Sequence, residues 1–171
     1  LSDINTPVSI YLRIRDEYPN SLLLESSDYR AAENSYSFIC FSPLASIEAD
    51  MGLCTEIYPD GSRVTTEIDT PETFRMRVNS FMEALKPVNL TNDVAINGLF
   101  GYCSYDAVKY FESISFKETE DYDYKIPDLH YGFYRYIIAI NHFQNTLQII
   151  ENLNEGEESN CEGIETLINN R

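Results

Sequence analysis

Four consecutive residues, Glu25, Ser26, Ser27 and Asp28, follow the apolar run Leu22–Leu24 and form the sequence's most concentrated group of polar side chains suited to holding a ligand. Two uses fit them. As structure, Ser27 or Asp28 would bond to nearby backbone in an Asx-type turn and end a strand. As a site, Glu25 would accept from an ammonium group, while Ser26 and neighbouring N–H groups would donate to a carboxylate. The leucines would wall an apolar side chain, and the whole would hold a small zwitterion. Charge-assisted hydrogen bonds contribute about 1.5–3 kcal/mol each, so two or three support binding in roughly the micromolar range. On composition alone the turn is the favoured reading.

Other reactive side chains form weaker patterns. His130 and His142 are the two histidines, and neither has a Cys, Asp or Glu at metal-ligand spacing. The cysteines stand at 40, 54, 103 and 161, with no close pair of the zinc-knuckle or redox type, and read as ordinary reduced thiols. Around Cys103 and Ser104 the stretch GYCSYD lacks a nucleophile elbow. NGLFGY has two glycines but no phosphate-cradling lysine, so Gly98 and Gly101 read as places where a strand bends or packs closely. The tyrosine-rich stretch YDYKIPDLHYGFYRY fits half-buried strands better than a partner surface.

The elements that must position these residues are legible. Thr6-Pro7 is an N-cap followed by proline at the first helical position, which predicts a helix over 7–18 ended by Pro19-Asn20. SLLLES, YSFICFSP and LASIEAD read as strands, and Pro59-Asp60-Gly61-Ser62 as the turn of a hairpin. Thr70-Pro71-Glu72 starts a second helix, with Phe74, Val78, Phe81, Met82 and Leu85 as its apolar face. VAINGLFGYCS reads as a strand, Ser104 as the cap of a helix through YDAVKYFE, and KETEDYDYKIPD as a solvated loop. YGFYRYIIAIN and HFQNTLQIIEN make a long antiparallel hairpin. Ser159 and Glu162 form a capping box for a last helix with Cys161, Ile164, Leu167 and Ile168 on its apolar face. Helices and mainly antiparallel strands are interspersed, which is an α+β class.

With 171 residues, 43% of them hydrophobic, the chain is expected to bury a core as one domain over 1–171. Twelve Lys and Arg against 28 Asp and Glu leave a formal charge of -16, which repels phosphate backbones and anionic membranes. Nucleic acid and membrane are not expected partners. There is no apolar run of membrane-spanning length and no signal pattern, and the expected setting is reducing and cytoplasmic.

Three blocks in order, TPVSIYLRIRD, PNSLLLESSDYRAAENSYSFICFSPLASI and NGLFGYCSYDAVKYFE, together resemble the N-terminal region of anthranilate synthase component I. The likeness covers roughly 1–112 well and the later hairpin and helix more loosely. It implies a lyase of tryptophan biosynthesis that makes anthranilate from chorismate and ammonia. A separate glutamine amidotransferase subunit supplies the ammonia, and magnesium holds chorismate's carboxylate. It further implies that the L-L-E-S segment helps bind L-tryptophan as feedback inhibitor. Carried onto this sequence, the inhibitor-site residues are Ser26, the firmest, then Glu25 and Leu24, with Pro7 a weaker addition. The implied fold is a two-sheet sandwich, mainly antiparallel, with flanking helices. The family's chorismate and magnesium motifs belong to a C-terminal catalytic domain that these 171 residues do not contain, so the resemblance implies an N-terminal regulatory domain without catalytic or metal-binding residues and without turnover of its own. Two alternatives stand beside it: the related aminodeoxychorismate synthase component I, and a free-standing amino-acid-binding module.

Overall fold

The computed structural model describes residues 6–26, 35–86, 97–112, 114 and 126–169. The elements run α1 (Pro7–Glu17), β1 (Leu22–Leu24), β2 (Tyr36–Asp50), β3 (Leu53–Ile57), β4 (Arg63–Glu67), α2 (Pro71–Ala84) and β5 (Phe100–Cys103). A 3-10 helix (Tyr105–Tyr110), β6 (Leu129–Asn141), β7 (Thr146–Glu151) and α3 (Cys161–Asn169) complete them. The pairings β1–β2, β2–β3, β3–β4, β5–β6 and β6–β7 are antiparallel. Hydrogen bonding orders the strands β4-β3-β2-β6-β5, with β1 added to β2 and β7 to β6. The α+β class and the antiparallel pairing follow the sequence reading, and the described strands make up one seven-stranded sheet.

Both helix starts read from Thr-Pro are present. Thr6 Oγ1 accepts from the Ser9 N–H at 3.1 Å and Thr70 Oγ1 from the Thr73 N–H at 3.2 Å, with proline in the first turn of each helix. Four expectations change. YSFICFSP and LASIEAD are one strand, β2, which continues through Ser42 (φ 55) and Pro43. The helix expected after Ser104 is a 3-10 helix, and Ser104 gives it no side-chain cap. Met82 is 51% exposed rather than on the packed face of α2. The Ser159 hydroxyl accepts from the Cys161 N–H at 3.4 Å and donates to Glu151 Oε2 at 2.7 Å, in place of the expected box with Glu162. Glu151 instead anchors the start of α3, accepting also from the Asn160 N–H and the Cys161 thiol. Burial pushes the Glu151 pKa up, but the bonds from Ser159, Cys161, Asn160 and Arg135 outweigh it and hold the carboxyl below its ordinary value. Most of the expected solvated loop and the start of VAINGLFGYCS lie outside the described residues.

The chain divides into two compact units. One consists of α1, β1, β2 as far as Pro43, β6 from Tyr134, β7 and α3. Its core joins Ile10 and Ile14 of α1, Ile39 and Phe41 of β2, Tyr136, Ile138 and Ile140 of β6, and Ile164 and Ile168 of α3. Ile10 and Ile14 are one turn apart on α1 and fully buried, each contributing about 1.5–3 kcal/mol through removal from water. The Arg13 guanidinium donates to the Ile168 carbonyl near the C-terminal end of α3, where the helix dipole favours a cation.

The other unit consists of β2 from Leu44, β3, β4, α2, β5, the 3-10 helix and β6 as far as Phe133. Phe74 and Phe81 of α2 pack there with Ala45, Ile47 and Ala49 of β2. Inside it Glu56 is fully buried. Its carboxylate accepts from Arg77 Nε at 2.7 Å, Arg77 Nη2 at 2.6 Å and the Tyr58 hydroxyl at 2.6 Å. The hydrogen bond to Glu56 raises the Tyr58 pKa. Gly101 pairs with Tyr131, and a Cβ there would lie 1.9 Å from the His130 carbonyl oxygen, so the close approach read from NGLFGY is real.

Candidate functional site

The corner after Leu22–Leu24 begins as a three-residue strand against β2, in the register Leu22↔Cys40, Leu23↔Ile39 and Leu24↔Phe38. Side chains alternate along a strand, so the three leucines do not share one environment. Leu23 packs on the first unit's core beside the buried Ile39. Leu22 and Leu24 face the other way, and Leu24 is 36% exposed. The pleat therefore divides between two faces the three leucines that the site reading sets together as an apolar wall. Leu24 shares its face with Phe38, whose ring stacks on Tyr36 at 5.8 Å between centroids and 15° between planes. Glu25 is exposed and Ser26 half-buried, both just past the strand. Ser27 and Asp28 lie outside the described residues.

Pro7 is half-buried in the first turn of α1, which packs against β1. The 11-residue helix rises about 16 Å, and Ser21 to Ser26 extended would return about the same distance. Leu24, Glu25 and Ser26 are thus contiguous, whereas Pro7 stands on a separate element.

The strand behind this corner is held from the far side. Ser37 is fully buried and its Oγ lies 2.7 Å from His142 Nε2, while the His142 N–H donates to the Ser35 carbonyl at 2.9 Å. Sequence reasoning left His142 without a task because the contact spans 105 residues. The alternation of aromatic and small residues in Tyr36-Ser37-Phe38 was the available signal for a two-faced strand.

Elsewhere the chemistry is structural. A cleft of about 300 Å³ lies between β7 and α3, lined by Leu147, Ile149, Cys161, Glu165, Ile168 and Asn169. A second of about 310 Å³ is lined by Gly52, Ile68, Asp69, Thr70, Pro71, Lys109 and Tyr110. Neither is lined by Leu24, Glu25, Ser26 or Pro7. His130 Nδ1 is 3.5 Å from Glu48 Oε2, and its ring stacks with Tyr102. The four cysteines are free, and burial pushes the Cys40 thiol far up. Among the described residues no three of His, Cys, Asp and Glu gather to hold a metal ion. Among the described residues no helix is long and apolar enough to cross a membrane.

No protein-family model matches the chain. Individual proteins do. Anthranilate synthase component 1 of Methanothermobacter thermautotrophicus is 30% identical over 140 residues, which are 82% of this chain and 27% of that protein. Its namesake from Pseudomonas putida is 36% identical over 114 residues, 66% of this chain and 22% of that protein. The one from Saccharomyces cerevisiae is 29% identical over 162 residues, 92% of this chain and 29% of that protein. In three dimensions the chain resembles anthranilate synthase component I from Streptococcus pneumoniae, with a TM-score of 0.51 and 19% identity over 98% of this chain and 34% of that one. That likeness concerns the fold. By its relatives in sequence, of which it spans less than a third of the length, the chain belongs to the anthranilate synthase component I family.

Proposed function

We propose that this chain is the N-terminal part of an anthranilate synthase component I and carries its share of a feedback site for L-tryptophan. The complete enzyme would be a magnesium-dependent cytoplasmic lyase that converts chorismate and ammonia to anthranilate, with ammonia delivered from glutamine by a component II amidotransferase. Chorismate and magnesium would be held by a C-terminal catalytic domain, against which this part packs. The observation that carries the reading is the sequence likeness over 82% of the chain to a protein of that name.

Within the chain the site would form at the end of β1. There Ser26 and backbone N–H groups would meet the inhibitor's carboxylate, Glu25 its ammonium group and Leu24 its ring, with Pro7 at the margin. The geometry supports this in three respects: Leu24 is turned away from the core, Glu25 is solvent-accessible and Ser26 follows directly. The second wall of the pocket would come from the catalytic domain, so the 171 residues alone would bind tryptophan weakly. Inhibition would be allosteric, with tryptophan favouring a conformation in which chorismate is not turned over, a coupling of about 1–3 kcal/mol.

The test is Ser26→Phe in the full-length enzyme, which fills the site without touching catalytic residues. Expected is normal anthranilate formation that tryptophan no longer inhibits. A variant as sensitive to tryptophan as its parent would overturn the site.

A further inference from the structure

β4 ends its sheet, with β3 on one side and no strand among the described residues on the other. Its residues, Arg63-Val64-Thr65-Thr66-Glu67, are exposed except for the half-buried Thr66. Hydrogen-bonded pairs alternate along an antiparallel ladder. The bonds from the Tyr58 N–H to the Ser62 carbonyl, at 3.0 Å, and from the Ile68 N–H to the Gly52 carbonyl, at 2.7 Å, bracket the β3–β4 ladder and fix its phase. Val64 and Thr66 therefore exchange their bonds with Glu56 and Cys54, while the N–H and C=O groups of Arg63, Thr65 and Glu67 point outward from the sheet. Edges of this kind are ordinarily protected by proline, lysine or a bulge. β4 has none of these, and its register on β3 is unbroken from Arg63 to Glu67.

We infer that β4 is the contact of a symmetric dimer, pairing antiparallel with β4 of a second copy of this chain about a two-fold axis at Thr65. The sequence of the strand is complementary to itself in that register. Thr65 meets its own counterpart, and Arg63 of each copy lies opposite Glu67 of the other, so the contact contains the Arg63–Glu67 pair twice. Directly opposite residues have Cβ atoms about 4.5–5.5 Å apart, within reach of an ion pair. No described residue forms an ion pair with either side chain inside the chain itself. The same register lays the exposed Val64 beside Thr66 of the other copy, a pairing of two β-favouring residues.

Backbone phase restricts the contact further. A slip of one residue would set the outward groups of one copy against groups of the other that are already bonded to β3. Among the registers in phase, the one centred on Thr65 joins the whole strand and matches both of its charges. The formal charge of -16 opposes association at a distance, but at physiological ionic strength charges more than about 8 Å apart are largely screened. Within β4 itself one arginine balances one glutamate.

The experiment is amide hydrogen exchange by NMR on the 171-residue chain at about 10 and about 500 µM in about 0.15 M salt, with sedimentation under the same conditions. Protection of the Arg63, Thr65 and Glu67 amides should rise at least about threefold at the higher concentration, whereas Val64 and Thr66, already bonded to β3, should not change. These amides separate the contact from association through α1, which would leave them unaltered. Thr65→Pro removes the central outward N–H, which β3 does not use, so circular dichroism should match the parent while the concentration dependence disappears. Arg63→Glu and Glu67→Arg each oppose like charges twice and should weaken the dimer about tenfold. Combined, they reverse the pairs and should restore the dimer to within about threefold of the parent. Protection of the three amides that is independent of concentration, a dependence that survives Thr65→Pro, or a double variant as weak as the single ones would each overturn the pairing.

Discussion

Replacing Arg77 by methionine removes the cation that neutralises Glu56 while keeping most of its apolar stem. The Glu56 side chain has no solvent exposure and that of Arg77 has 28%, so the loss falls on the carboxylate, which has no water to turn to. Two charge-assisted bonds, at 2.7 and 2.6 Å, disappear, and only the Tyr58 hydroxyl and the weak, 3.9 Å contact from the Cys54 thiol remain. Breaking a buried pair from one side costs about 3–5 kcal/mol, and because Tyr58 still donates, about 3 kcal/mol is expected at neutral pH. Glu56→Gln combined with Arg77→Met removes the stranded charge and should recover about 2 kcal/mol relative to the sum of the single variants. The assay is urea unfolding read by circular dichroism, with hydrogen exchange of β3 amides reporting this unit separately. A cost for Arg77→Met below about 1 kcal/mol, or a double variant whose cost is the plain sum, would refute the view that Glu56 needs its cation.

Gly101→Ala should cost about 3 kcal/mol, because the new methyl meets backbone, the His130 carbonyl oxygen at 1.9 Å and Tyr131 Cα at 2.7 Å, and urea unfolding would show it. Stability should fall with rising pH. Burial first, then the Glu56 charge, raises the Cys54 thiol from 9.0 to about 11, and burial raises Tyr134 from 10.0 to about 12. Folded pKa values above the unfolded ones mean that these stabilising contributions are complete below pH 9 and are lost as pH rises through 11 and then 12. Cys54→Ala should flatten the first part of that decline, and an unchanged slope between pH 9 and 11 would count against it. The 171-residue chain by itself should self-associate through exposed apolar residues such as Val8 and Leu12, one turn apart on α1. A monomer by light scattering that binds no apolar dye would contradict this.

Local chemistry was legible and distant chemistry was not. The Thr-Pro starts of α1 and α2 and the Asp60-Gly61 turn follow from caps and backbone preferences carried by the residues themselves, and each is where the sequence puts it. Met51-Gly52, the turn joining β2 to β3, has positive φ at both positions, yet methionine gives no sign of it. Ser159 carried the right motif, but Glu151, eight residues away, competes for its hydroxyl. The pairing of Glu56 with Arg77 and of Ser37 with His142 joins residues that no local pattern relates. At the candidate site the polar residues were visible as a cluster. The aromatic pair beside them was not, because only the β1–β2 register says which side of YSFICF meets Leu24.

The shortness of β1 bears on how such a site would signal. A strand with three paired residues, held to the core through Leu23, contributes few ladder bonds, and elements of this kind occupy the low-stability end of a structure. A ligand that touched both Ser26 and β2 would join the end of β1 to the well-anchored β2 and favour the arrangement in which the two are docked. Its leverage cannot exceed its difference in affinity between the docked and undocked arrangements, so a coupling of about 1–3 kcal/mol requires a difference of about 5- to 150-fold. Contacts that depend on the register of a three-residue strand can supply a difference of that size, because a slip of one residue turns Leu24 to the opposite face. The same contacts that recognise the ligand would then be the ones that lose it when the strand moves.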